Sequence, residues 1–276
     1  MKRKGKFKYT VSRCLPCIFI EFTDNTIRRV ITIILDIHSH ILPGVDDGAA
    51  DLDESVKLLE ALFEQGVTDV VATPHFYPMD EDIDSFKDRI GRAYLRLSEK
   101  AAGRNLPNIY LGAEVLYYRY IGNSDAVKEL CIGKTNYMLL ELSENSVRNG
   151  LFEDIAALRE NQGITPIIAH LERYSRVPGY KKLLKFLSQE KIPAQVNASS
   201  FFQKNSAVLS EKLIKDGYVN FLATDCHSCS ARPPLMKQAL MYISEKLGSE
   251  YSSGFIRNSQ IMLEVIKDSE NEKQHA

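Results

Sequence analysis

Five of the six histidines in this 276-residue chain end apolar, strand-like runs. His38 and His40 follow ITIILDI, His75 follows VTDVVATP, His170 follows ITPIIA and His227 follows VNFLATDC. Two isolated acids, Glu114 in YLGAEV and Glu141 in MLLEL, end similar runs. In HSH the two histidines are two residues apart, so an extended chain puts both rings on one side. Two nitrogen donors can then share one cation. DCH repeats the device: Asp225 and His227 point one way and Cys226 the other. A lone histidine is more often a core residue with both nitrogens satisfied. HxH and DxH at opposite ends of one alternating pattern are a different matter.

With one acid from VDDGA, either Asp46 or Asp47, the candidate donors outnumber the four to six that one ion accepts. Two or three divalent ions are expected. Imidazoles and carboxylates without thiolate suit Mn, Fe or Zn, with Mg also possible. Four carboxylates against three divalent ions leave a charge of about +2, which attracts an anion such as a phosphate dianion. Clustered metals generate hydroxide near neutral pH and clamp the oxygens of an in-line displacement. Arg173, three residues beyond His170, and Arg232, five beyond His227, are placed to enter the same mouth. A guanidinium fork matches phosphate oxygens in bidentate fashion. Asn197, ending QVN, either faces the site or makes a structural hydrogen bond.

The elements that must position these residues alternate. Strand-like runs lie at 33–37, 67–73, 109–115, 137–142, 164–169, 194–197 and 219–224. Most are short and rich in Val, Ile and Leu, as in strands buried on both faces. Between them, DLDESVKLLEALFEQG, IDSFKDRIGRAYLRLSEKAAG, LFEDIAALRENQG, YKKLLKFLSQEK and SAVLSEKLIKDG carry helical patterns, several closed by Gly. Two more helices are expected at 234–247 and 255–267. Seven strands alternating with helices predict a parallel α/β fold. The first choice is a distorted (β/α)7 TIM-like barrel, which would carry its active site at the strand C-termini. The second is a doubly wound open sheet, but its nucleotide-binding version needs a Gly-rich turn that LPGVDDGA does not supply.

A composition of 44% hydrophobic and 26% charged residues fits one folded core. A net charge of −1 gives no reason to expect nucleic acid. Residues 1–34 hold eight Lys or Arg against two acids. They are expected to be a dispensable extension, disordered or arising from a start assigned too far upstream. Residues 35–267 form the catalytic domain in this reading, and 268–276 a frayed tail. No run approaches the roughly 18 apolar residues of a membrane span, and a cytoplasmic protein is expected. Cys14, Cys17, Cys131, Cys226 and Cys229 are an odd set. The two CxxC pairs are too far apart for a zinc ribbon.

The segments DIHSHILPGVDDGA, ATPHFYP, GAEV, LLELS, AHLERY, QVNASS and ATDCHS…RPP resemble, in order, the CpsB/CapC tyrosine phosphatases. These belong to the polymerase-and-histidinol-phosphatase (PHP) superfamily and occur in bacterial capsule and exopolysaccharide loci. The resemblance spans about residues 35–267. It implies a distorted seven-stranded barrel, three metal ions (usually Mn) and phosphotyrosine hydrolysis. It places the ligands at His38, His40, Asp47, His75, Glu114, Glu141, His170, Asp225 and His227, choosing Asp47 where spacing leaves Asp46 open. The phosphate-binding arginines fall on Arg173 and Arg232. The implied partner is the tyrosine-rich tail of a membrane-associated autokinase. Alternatives are a histidinol-phosphate-type small-molecule phosphatase and a noncatalytic phosphotyrosine-binding module.

One rival chemistry sits in the same segment. Cys226 to Arg232 has the Cys-x5-Arg spacing of thiol-based tyrosine phosphatases. No glycine lies between the two, Pro233 follows, and Cys226 alternates with two candidate ligands. Its side chain is therefore expected to face away from the site.

Overall fold

The computed structural model describes residues 33–143, 145–148 and 150–272. The basic segment before Ile33, with Cys14 and Cys17, lies outside the described residues. Ile34, assigned to the extension from sequence, is buried, and its carbonyl accepts the Thr68 and Asp69 N–H groups at 3.0 and 3.3 Å. It belongs with the folded chain.

The described residues form nine strands and seven α-helices, interleaved along the chain. The strands are β1 (Leu35–Ser39), β2 (Asp69–Ala72), β3 (His75–Phe76), β4 (Asn108–Leu111), β5 (Glu114–Leu116), β6 (Tyr137–Glu141), β7 (Thr165–Ile168), β8 (Gln195–Asn197) and β9 (Phe221–Ala223). The helices are α1 (Leu52–Glu64), α2 (Ile83–Ala101), α3 (Leu151–Gln162), α4 (Tyr180–Glu190), α5 (Lys204–Lys215), α6 (Met236–Lys246) and α7 (Ser249–Glu272). The last helix thus runs five residues past the domain end expected at 267. No helix among the described residues is long and apolar enough to cross a membrane.

All ladders are parallel, in three sheets of order β1-β2-β4, β3-β5-β6-β7 and β8-β9. Isolated parallel bridges join Ser39 to Cys226 and Ile168 to Ala194. The parallel α/β class expected from sequence is present. The closed seven-stranded sheet is not, among the described residues. The expected strand at 67–73 is present as β2, and a short further strand, β3, follows it beyond Pro74, which has no N–H to give a ladder and restricts Thr73. The expected strand at 109–115 is split in two. Gly112 and Ala113 separate β4 from β5, where a Cβ on Gly112 would stand 3.1 Å from Val71 Cγ1.

Two apolar layers hold the strands. Leu35, Ile37, Val71, Leu139, Ile167 and Phe221 pack with Met262, Leu263 and Ile266 of α7. A larger cluster includes the helix faces, with Leu58, Leu59 and Leu62 of α1 fully buried. Burying each such side chain contributes roughly 1.5–3 kcal/mol. That is ample to fix a helix whose start is already capped by Asp51, which accepts the Asp53 and Glu54 N–H groups.

Candidate metal centre

His38 and His40 lie at the end of β1, His170 and His227 just beyond β7 and β9, and His75 opens β3; the five rings meet. The register of β1 against β2 slips between Asp36 and Ser39, an irregularity of the kind that re-aims side chains beside sites. His38 Nε2 and His40 Nε2 end 3.2 Å apart. Glu114 opens β5 and sits among four imidazoles. Its Oε2 lies 3.3 Å from both His38 Nε2 and His40 Nε2 and 3.0 Å from His75 Nδ1, and its Oε1 lies 2.8 Å from His170 Nε2. Glu141 reaches His170 at 3.5 Å and His75 at 3.9 Å. Asp225 Oδ1 is 3.4 Å from His38 and 3.5 Å from His40. Asp47 Oδ1 lies 3.4 Å from His75 Nε2 and 3.3 Å from His227 Nε2.

Among the described residues, three groups of donor atoms lie close enough to surround a cation. They are His40, Asp47, His75 and His227; His38, His40 and Asp225; and His75, Glu114 and Glu141. His170 joins the last through Glu114. His75 Nδ1 and His227 Nε2 are buried and make no hydrogen bond among the described residues. His75 Nδ1 is near Glu114 but poorly aligned with it. Buried nitrogens left without a partner are costly, and lone pairs aimed together at carboxylates fit divalent cations.

Four rings are oriented by contacts at Nδ1, which leave Nε2 turned inward. His40 Nδ1 meets Asp46 Oδ2 at 2.8 Å, and His38 Nδ1 meets Gln195 Oε1 at 3.4 Å. His170 Nδ1 meets the Tyr174 hydroxyl at 3.1 Å, and His227 Nδ1 meets the Asp225 carbonyl at 3.0 Å. Such outer partners fix the ring and tautomer of a metal-binding histidine. The two acids of VDDGA therefore divide the work. Asp46 orients His40 and accepts the His75 N–H; Asp47 faces the imidazoles. Gly48 permits the turn, since a Cβ there would stand 2.2 Å from the His40 carbonyl oxygen. Asp46, Gln195 and Tyr174 were not picked out as orienting residues from sequence. A polar Gln195 inside a buried strand was the available signal.

Two site residues, His170 and Asp225, have φ of 32° and 50°. The left-handed region is unfavourable for such residues, costs about 1–3 kcal/mol and concentrates at functional positions. At His170 it turns β7 into a 3-10 turn over Leu171–Arg176 that brings Arg173 back over the centre. At Asp225 it lets the Asp225 N–H donate to the His38 carbonyl at 2.9 Å.

Both arginines do reach the mouth. Asp225 Oδ2 accepts from Arg173 Nη2 at 2.6 Å, Arg232 Nη2 at 2.8 Å and Asn197 Nδ2 at 2.6 Å. Asn197 is thus tied to a site residue rather than remote from the site. Asp225 presents one oxygen to the imidazoles and the other to the guanidinium groups of Arg173 and Arg232, whose side chains are 44% and 37% exposed.

Burial raises the Asp225 carboxyl, but His38, His40 and Arg173 outweigh it and hold the acid well below its usual range. Burial likewise opposes charge on His40 and His170. Asp225, Asp46 and Glu114 nevertheless raise His40 well above the ordinary value, and Glu114 and Glu141 raise His170 to about 9. His227 goes the other way, to about 4, through burial and the neighbouring His40. Without cations, the carboxylates therefore keep protons on imidazole. A cation must displace those protons. Loading with Mn should release protons at pH 7, and affinity should rise with pH up to about 9. Titration calorimetry in buffers of different ionisation enthalpy reads the release; enthalpies identical across buffers would contradict it.

Cys226 is fully buried in the larger apolar cluster, facing away as its position predicts. Burial pushes its thiol far above the ordinary range. A nucleophilic thiolate needs the opposite environment.

A parallel α/β protein with five imidazoles and four carboxylates gathered at its strand ends is of a class that could hold several cations. The match to the family described as "Capsular polysaccharide synthesis, CpsB/CapC" runs over residues 34–264, and the chain belongs to that family. CapC of Staphylococcus aureus is 32% identical over 240 residues, covering 83% of this chain and 91% of that one. The tyrosine-protein phosphatase CpsB of Streptococcus pneumoniae is 30% identical over 236 residues, covering 78% and 92%. Among solved structures, one superposes with a TM-score of 0.74 at 26% identity, over 84% of this chain and 95% of the other. It comes from a study of YwqE from Bacillus subtilis and CpsB from S. pneumoniae, described as metal-dependent tyrosine phosphatases.

Proposed function

We propose that this protein is a metal-dependent protein-tyrosine phosphatase regulating capsular or exopolysaccharide synthesis. The observation that carries the proposal is the sharing of Asp225 between three imidazoles and two exposed arginines, which couples a cation-type centre to a phosphate-type grip. The nine residues gathered at the centre are the proposed ligands: His38, His40, Asp47, His75, Glu114, Glu141, His170, Asp225 and His227. Three Mn ions fit that set of mixed nitrogen and oxygen donors. Bound divalent ions supply Lewis acidity and lower the pKa of water.

The chain's own residues do the positioning. Arg173 and Arg232 hold the phosphoryl oxygens in the mouth, where a dianion competes for guanidinium protons now given to Asp225. Asp46, Gln195 and Tyr174 keep the imidazoles in register, so little reorganisation accompanies the reaction. Taken with the two isolated bridges, the three sheets support a distorted seven-stranded barrel, with β2 and β3 forming one barrel strand and β4 and β5 another. Recesses on either side of the mouth favour a protein substrate over a small molecule in a closed pocket. By analogy with the family, that substrate is the phosphotyrosine tail of a membrane-associated autokinase in the cytoplasm.

The test is a comparison of kcat/KM on a phosphotyrosine peptide and on histidinol phosphate. The peptide should be strongly preferred; the reverse preference favours the small-molecule reading. Arg232→Lys keeps the charge but loses the planar fork. It should reduce transition-state stabilisation on the peptide by roughly 1.5–3 kcal/mol, the scale of a charge-assisted hydrogen bond. An unchanged kcat/KM would place Arg232 outside the site.

A further inference from the structure

Beside the centre, a recess of about 400 Å³ is lined by Glu141, His170, Arg173, Arg176, Val177 and Pro178, among others. That volume lies within the range of small-ligand pockets, roughly 300–1,000 Å³. Two of these residues also line the centre, so the recess opens directly onto it. Arg173 is turned to Asp225 and the proposed phosphoryl position. Arg176 is exposed, and among the described residues its guanidinium has no ion pair or hydrogen bond. The 3-10 turn over Leu171–Arg176 places the two arginines three residues apart, at its middle and its end. Tyr174, between them, is buried and anchored through its hydroxyl to Leu142 N–H and His170. The turn that carries Arg176 is therefore held at both the core and the centre. The Glu141 carboxylate, the one acid lining the recess among the described residues, faces His170 and His75 rather than Arg176.

The opposite flank has the reverse character. There a recess of about 620 Å³ is lined by Asp46, Asp47, Tyr77, Asp80 and Glu81 together with His75 and Arg89. Arg89 is spent on Glu81 and on the Val45 carbonyl. An anionic group beside the phosphate is repelled on that side and accepted on the Arg176 side.

We infer that Arg176 and its recess form a subsite for a carboxylate side chain flanking the phosphotyrosine of the substrate. Val177 and Pro178 offer apolar surface to the stem of a Glu or Asp, and Arg176 takes its charge. The inference rests on the phosphatase reading and deepens it by adding a sequence preference that the centre alone does not provide.

The experiment uses the full-length protein with Mn and three phosphotyrosine peptides that differ only in flanking Glu, Ala or Lys. The readout is the ratio of kcat/KM for the Glu peptide to that for the Ala peptide within each variant, so a general loss of activity cannot imitate the effect. Wild type should favour the Glu peptide about fivefold, the upper scale of an exposed ion pair. The difference should lie mainly in KM, because the contact persists from ground state to transition state. Arg176→Ala should bring the ratio to about one, Arg176→Lys should keep most of it, and Arg176→Glu should invert it in favour of the Lys peptide. A wild-type ratio near one, or a ratio unchanged in Arg176→Ala, overturns the subsite while leaving the phosphatase reading standing. A wild type that hydrolyses none of the three peptides overturns both.

Discussion

Glu114→Gln should cost at least 10²–10³ in kcat/KM on a phosphotyrosine peptide. That is the scale of removing one preorganised electrostatic stabiliser. The substitution keeps the side chain's size and deletes one charge. Glu114 is buried, and its two oxygens touch four imidazoles. Replacing one oxygen by an NH2 group turns an acceptor toward the cation positions into a donor. Elemental analysis of the purified variant should show fewer bound metal ions per chain than wild type. Turnover within threefold of wild type with full metal content would remove Glu114 from the centre.

The second large effect separates two mechanisms written in one segment. His170→Ala should be nearly inactive. It deletes the ring that joins Glu114 to Glu141, and it also changes a residue at φ 32° that starts the turn carrying Arg173. Cys226→Ser should keep most activity. The thiol lies in the apolar core, and its replacement introduces only a buried hydroxyl, a packing and desolvation cost of about 1–3 kcal/mol in stability. The paired measurement is kcat for both variants with Mn in excess. A dead but folded Cys226→Ser beside an active His170→Ala would restore the thiol mechanism.

That these imidazoles and carboxylates would converge was legible because it is written twice, once in residue type and once in position. Imidazoles and acids at the ends of Val- and Ile-rich runs have few structural uses. The choice between Asp46 and Asp47 was not legible from spacing, because both follow the same tight turn; only the side-chain directions separate the orienting acid from the one facing the imidazoles. Gln195 was hidden because it contacts His38 from 157 residues away, a relation that no local pattern carries. The parallel α/β class followed from the alternation of runs. The closed sheet did not follow, because hydrogen-bond continuity depends on interruptions such as Pro74 and Gly112, which leave the hydrophobic pattern almost untouched. Arg176 is one of several exposed arginines in the sequence, and it stands out only once the recess beside His170 is seen.

The centre should work only with divalent metal. The direct measurement is phosphotyrosine-peptide hydrolysis by protein stripped with EDTA, checked by elemental analysis, before and after adding Mn. Stripped protein should be inactive and Mn should restore turnover. Full turnover by protein free of bound divalent metal would contradict the account.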